Sequence, residues 1–106
     1  MRLYHNPRCS KSRQARNLLL NRDIKFEDYR YLEKGIHPDD IEILSNLQGI
    51  IRISDLISTE DVDLSDRESV AQLIKSNPLV LQRPVLVSNG VAIIGRPPEN
   101  ILTLLP

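Results

Sequence analysis

The sequence predicts an α/β fold, a mixed four-stranded sheet with a block of helices inserted between its two halves. Three observations predict it. The first third of the chain reads strand, helix, strand, an order that favours parallel pairing of the two strands through the helix. The last third holds Val85-Leu86-Val87-Ser88-Asn89-Gly90-Val91-Ala92-Ile93-Ile94, two β-rich runs around the preferred type I′ turn pair, which makes an antiparallel hairpin. Between them the periodicity is helical. No linker, internal repeat or low-complexity stretch interrupts the 106 residues, so residues 1–106 are expected to form a single domain.

The elements follow in order. Arg2–His5 is a short strand ended by the Asn6-Pro7 turn signal. Ser10–Arg22 is a helix, with Ala15, Leu18 and Leu19 spaced to lie on its buried face. Lys25–Arg30 reads as a second strand. Pro38 at a first helical position, with Ile41, Leu44 and Leu47 behind it, marks a second helix. A short helical turn is expected around Ser54–Ile57. Ser65-Asp66-Arg67-Glu68 is a capping box opening a helix through Val70, Leu73 and Ile74, which stops at Asn77-Pro78. After the hairpin, Pro97–Leu105 closes the chain as a helix carrying Ile101, Leu104 and Leu105. Helices on both faces of such a sheet give the thioredoxin architecture with helices inserted in its middle.

Composition excludes several function classes. Fourteen Lys+Arg against fourteen Asp+Glu give zero formal charge, so no global electrostatic attraction to nucleic acid or an acidic membrane is expected. No apolar run approaches the ~20 residues of a membrane span. Met1–Pro7 lacks the apolar core of a signal peptide, and the expectation is a cytoplasmic protein. The single cysteine, Cys9, excludes an internal disulfide and any multi-cysteine metal site. The charge is unevenly spread. Residues 1–22 carry six bases and no acid, residues 23–68 thirteen acids against five bases, and residues 69–106 three bases against one acid. Cys9 thus sits in the most basic stretch of the chain.

Cys9 follows a strand and a turn and directly precedes a helix. Free N–H groups and the positive end of the helix dipole favour thiolate there. Arg8, Lys11 and Arg13 are expected to add positive potential, with Arg16 and Arg22 left on a solvated face. The polar neighbours Ser10, Lys11 and Ser12 argue against a buried structural cysteine. Ser12 stands where a Cys-x-x-Cys motif has its second sulfur, so a redox cycle at Cys9 needs an external thiol. Ser12 could also cap the helix or hydrogen-bond the thiolate. His5 either supports the thiolate or sits on its strand as a satisfied side chain.

The run His5-Asn6-Pro7-Arg8-Cys9-Ser10-Lys11-Ser12-Arg13 resembles the signature of the glutaredoxin-coupled arsenate reductase family. Asn77-Pro78, Gln82-Arg83-Pro84-Val85 and Ile94-Gly95-Arg96-Pro97 resemble its later blocks at suitable spacing. The similarity runs from Leu3 to the C-terminus. It implies a thioredoxin-like fold with a cis peptide at Arg83-Pro84 and Cys9 as the nucleophile attacking arsenate, with His5 and Ser12 as the other catalytic residues. It also implies Arg83, Arg96 and Arg13 as substrate-binding residues, the first two on exposed turns. No bound cofactor is implied; glutathione and glutaredoxin would be external reductants and partners, with a small oxyanion as substrate and the protein a monomer. One departure stands out: where the family carries a further arginine in the middle helical block, this chain reads Asp55-Leu56-Ile57-Ser58, with Ser58 in its place and Arg52 six residues upstream. Two alternatives compete with arsenate reduction. One is a noncatalytic regulator of the Spx type that binds RNA polymerase; the other is a monothiol thioltransferase.

Overall fold

The computed structural model describes residues 1–56 and 63–105. Strand β1 (Arg2–Tyr4) lies inside the sheet. It pairs in parallel with β2 (Glu27–Tyr29) and antiparallel with β3 (Val85–Ser88), and β4 (Val91–Ile94) closes the order β2-β1-β3-β4. The parallel pair is possible because helix α1 (Ser10–Asn21) carries the chain back to the start of the sheet. Asn89 and Gly90 take φ of 51° and 79°, the left-handed values that a type I′ turn needs at both central positions.

Alternation along the strands divides the core in two. Leu3 and Leu86 are register partners and pack with Ala15 and Leu19 of α1 and Ile101 of the C-terminal segment. Their neighbours Tyr4 and Val85, also partners, face the other way. They pack with Tyr29, Tyr31, Leu44, Val70, Ile74 and Val80. This second layer comes from the inserted block: α2 (Tyr31–Lys34), α3 (Ile41–Ser45) and α4 (Arg67–Ser76).

The block and the C-terminus differ from the sequence expectation in detail. Helix α2 was not expected: a single turn shows too little periodicity to be read from sequence. The helix opened by Pro38 begins as a 3-10 turn, Pro38–Asp40, capped by His37 Nδ1 accepting the Asp39 N–H at 3.1 Å, and only then becomes α3. The Ser54–Ile57 turn appears as a 3-10 turn over Ile53–Asp55, with Ile57 outside the described residues. At α4 the capping residue is Asp66, not Ser65: Ser69 Oγ donates to Asp66 Oδ2 at 2.8 Å, while Ser65 N–H and Oγ turn back to Asp63. The C-terminal helix is a 3-10 segment, Pro98–Leu104. There Thr103 Oγ1 donates to the Asn100 carbonyl at 2.8 Å, a side-chain bond of the kind that competes with the α-helical ladder. Among the described residues no helix is long and apolar enough to cross a membrane.

Candidate active site

The loop between β1 and α1 is tied by its own polar groups. The Asn6 carbonyl accepts the Cys9 N–H at 3.0 Å, and Asn6 Oδ1 accepts the Arg8 N–H at 3.0 Å. The Asn6 N–H donates to Ser12 Oγ at 2.9 Å, and that hydroxyl shares a 2.7 Å hydrogen bond with His5 Nδ1. Ser12 is fully buried and His5 nearly so. His5 and Ser12 therefore form a bolt between β1 and α1 that fixes the loop. Burial, the largest effect, holds the His5 imidazole below its ordinary value, against the pull of Asp28.

Cys9 occupies the N-cap of α1 with extended backbone angles, φ −94° and ψ 122°, and is partly exposed. Its thiol lies below the ordinary cysteine value. Partial burial works against this and is outweighed by the backbone N–H groups of Ser12 and Lys11, then by the nearby Arg83 and Arg96 guanidiniums. The positive surroundings of the sulfur differ from the sequence expectation. Arg8, Lys11 and Arg13 are exposed; Lys11 acts through its backbone, and Arg13 donates from Nη1 to the Pro7 carbonyl at 2.8 Å, bracing the loop. The two charged side chains acting on the sulfur come instead from 74 and 87 residues further along the chain (83 − 9 and 96 − 9). Arg16, expected on a solvated face, pairs with Asp28 at 3.0 Å.

Arg83 is not on an exposed turn. It is 8% exposed, and its Nη1 donates to Asp55 Oδ2 at 2.8 Å and lies 3.5 Å from the Leu79 carbonyl. A buried guanidinium needs such a counter-charge. Two backbone bonds bring the segments of Asp55 and Arg83 together, Arg52 N–H to the Val80 carbonyl and Gln82 N–H to the Ile50 carbonyl, both at 2.7 Å. Arg52 approaches the same Asp55 carboxylate at 3.8 Å, so a carboxylate bridges two arginines. Arg96 is exposed, as expected, and its Nη1 donates to the Arg83 carbonyl at 2.8 Å. The Arg83-Pro84 peptide is cis, and so is Arg96-Pro97. The Gly95 N–H donates to the Pro84 carbonyl at 2.8 Å. A Cβ at Gly95 would come within 2.8 Å of Pro84 Cγ and 2.9 Å of Ile101 Cγ2, so only glycine lets the two arginine-bearing segments meet this closely.

The structure thus brings Cys9, His5, Ser12, Arg83 and Arg96 together and places Arg13 on the outer side of the loop. Ser58 lies outside the described residues. Three further residues were missed. Asp55 carries no signature, because nothing local marks an acid as the partner of an arginine 28 residues away. Gly95 had a signal: a glycine between a strand and Arg96-Pro97 marks a close backbone approach. Tyr31, two residues after β2, is fully buried against Tyr4 and is acted on by Arg83, the Asn6 side chain, Cys9 and Asp55. Among the described residues no group of three His, Cys, Asp or Glu side chains is placed to hold a metal ion.

Residues 4–104 match the ArsC family. An arsenate reductase of Neisseria meningitidis is 36% identical over 99% of this chain and 97% of its own length. The solved arsenate reductase of Vibrio cholerae is 33% identical, superposes with a TM-score of 0.80, and is matched over 99% of this chain and 98% of that one. The global transcriptional regulator Spx of Streptococcus agalactiae is 28% identical over 98% of this chain and 82% of its own length.

Proposed function

The chain belongs to the ArsC family and has its thioredoxin-like fold, and on that premise we propose that it is a thiol-dependent oxidoreductase that reduces arsenate to arsenite at Cys9. The observation that carries this reading is the place of Cys9 at the N-cap of α1, where two helix N–H groups and the linked Arg83 and Arg96 hold its thiol below the ordinary value. The same four donors that favour the thiolate suit an oxyanion lying against it. The Cys9 thiolate attacks arsenic and displaces hydroxide, which leaves as water. Glutathione thiolate then attacks the Cys9 sulfur, the S–As electron pair stays on arsenic, and As(III) leaves as arsenite. Glutaredoxin returns the resulting mixed disulfide to thiols, an external step required because Ser12 supplies no second sulfur. In this reading the protein is a cytoplasmic monomer with no bound cofactor and no nucleic-acid or membrane partner. Arg52, joined to Arg83 through Asp55, takes the part of the arginine replaced by Ser58.

Turnover of arsenate with glutathione, glutaredoxin and NADPH tests the reading. Cys9→Ser should abolish turnover. Arg83→Ala and Arg52→Ala should each lower kcat/KM by roughly 10- to 150-fold, the worth of one charge-assisted hydrogen bond of ~1.5–3 kcal/mol. An inactive wild type with an acidic Cys9 thiol would reject arsenate reduction. The Spx likeness would then favour the noncatalytic reading, binding to RNA polymerase, over a monothiol thioltransferase, and a glutathione mixed-disulfide exchange assay would separate the two.

A further inference from the structure

Among the described residues, three buried side-chain polar atoms have no hydrogen-bond partner: Tyr31 Oη, Gln82 Oε1 and Arg83 Nε. Two of them border Cys9. The Asn6 side chain also approaches the Tyr31 hydroxyl, from the donor side and without completing a hydrogen bond, so the hydroxyl's own proton stays unused. An unpartnered buried hydroxyl destabilises a fold, and natural proteins satisfy nearly all such groups. The neighbouring Tyr4 is equally buried and has a full set of partners. It donates to Asp40 Oδ2 at 2.6 Å and accepts the His37 N–H at 3.1 Å. Tyr31 opens α2, which packs on the Pro78–Val80 turn, and the Leu79 carbonyl of that turn faces the Arg83 guanidinium.

We propose that the Tyr31 hydroxyl and Arg83 Nε are paired donors held for one oxygen of a tetrahedral oxyanion at Cys9, which makes Tyr31 a specificity-determining residue of that site. The proposal rests on the oxyanion reading given above. Arginine has only donors. Burial pushes the Tyr31 hydroxyl up to about 12, so it keeps its proton well above the pH at which Cys9 loses its own. Two donors left empty together call for a single acceptor bearing negative charge. Asp55 occupies Arg83 Nη1 and leaves the Nε edge free. A tetrahedral ligand has enough oxygens to engage the α1 N–H groups, Arg96, and the Tyr31–Arg83 pair at once. A carboxylate has one oxygen too few, and nitrate holds its three in one plane, whereas a tetrahedral ion spreads its oxygens in three dimensions around the centre. Both donors are buried in the ligand-free protein, so Arg83 must move on Asp55 when the oxyanion binds.

The test follows iodoacetamide alkylation of Cys9 in the wild type and in Tyr31→Phe, with sulfate as an unreactive tetrahedral probe and nitrate as a planar one. Thermal unfolding without anion is measured in parallel. Sulfate should protect the wild type better than nitrate does, and Tyr31→Phe should raise the sulfate concentration for half-protection roughly tenfold or more. The alkylation midpoint without anion should stay the same. The ligand-free variant should be as stable as the wild type or more so, because the lost hydroxyl had no partner. Equal protection of both forms would overturn the role of Tyr31 and leave the oxyanion reading standing. A raised midpoint in the variant would put the donor on the sulfur and overturn it too, as would lost stability with unchanged protection, which would make the hydroxyl part of the fold. A wild type that sulfate, phosphate and arsenate all fail to protect would overturn the oxyanion reading together with this one.

Discussion

Tyr4 and Tyr31 lie against each other with ring centroids 5.9 Å apart, both fully buried, yet their hydroxyls belong to different kinds of site. Around Tyr4 every strong group is answered. Asp40, 3% exposed, accepts from Tyr4 Oη at 2.6 Å and from Arg2 Nη1 at 2.8 Å, and Tyr4 in turn accepts from His37. Burial and the Asp40 carboxylate push the Tyr4 hydroxyl far above the usual tyrosine range, so it stays a donor. Around Tyr31 the groups are the same in kind, a carboxylate, an arginine and a phenol, but the phenol and one edge of the guanidinium are unmet. The first cluster joins β1, β2 and the inserted block by closing its hydrogen bonds within the protein. The second surrounds the reactive sulfur and leaves donors open. Completeness, more than residue type, separates a cluster that holds the fold from one that awaits a ligand.

The largest expected effect is on the closed cluster. Asp40→Ala strands a buried phenol and a partly buried guanidinium and should destabilise the protein by about 2–3 kcal/mol in chemical denaturation. Its Cys9 alkylation midpoint should stay at the wild-type value. A shifted midpoint would mean that the two clusters are coupled. Tyr4→Phe comes next: one of the two donors on a buried carboxylate is lost, at about 1–2 kcal/mol. A Tyr4→Phe protein as stable as the wild type would erase the contrast with Tyr31→Phe. The smallest effect is a pH dependence through His5. Its folded value lies below the ordinary 6.5 because the ring is buried, so between 6.5 and the folded value the unfolded chain binds more protons. Stability should therefore fall as pH drops from 6.5, with the loss complete below the folded value. His5→Gln should flatten that limb, and an unchanged limb in this variant would show that other groups govern it.

Much of the architecture was legible because its signals are short-range. The Asn89-Gly90 hairpin, the Asn6-Pro7 stop after β1 and the Ala15/Leu19 face of α1 all depend on residues within a turn or two of one another. The position of Cys9 at a helix N-terminus is equally local and needed no tertiary information. The inserted block was read less well. Turns as short as Tyr31–Lys34 and Ile53–Asp55 are shaped by packing more than by propensity, and the capping pair at α4 slipped by one residue because both Ser65 and Asp66 are competent caps.

By itself the sequence determined the order of the strands and of the longer helices, the mixed sheet and the place of the thiol before α1. Only the tertiary structure decided what surrounds that thiol. The nearby bases Arg8 and Arg13 remain exposed, while the charges that reach the sulfur arrive from the cis-proline segments at Arg83 and Arg96. Asp55 holds Arg83 from 28 residues away, and Gly95 admits Pro84 at a distance no side chain would allow. The physical reason is range. Helix dipoles, turns and alternation act between neighbours in sequence, whereas a buried ion pair, a backbone close approach and an unmet hydroxyl exist only once distant segments have packed together.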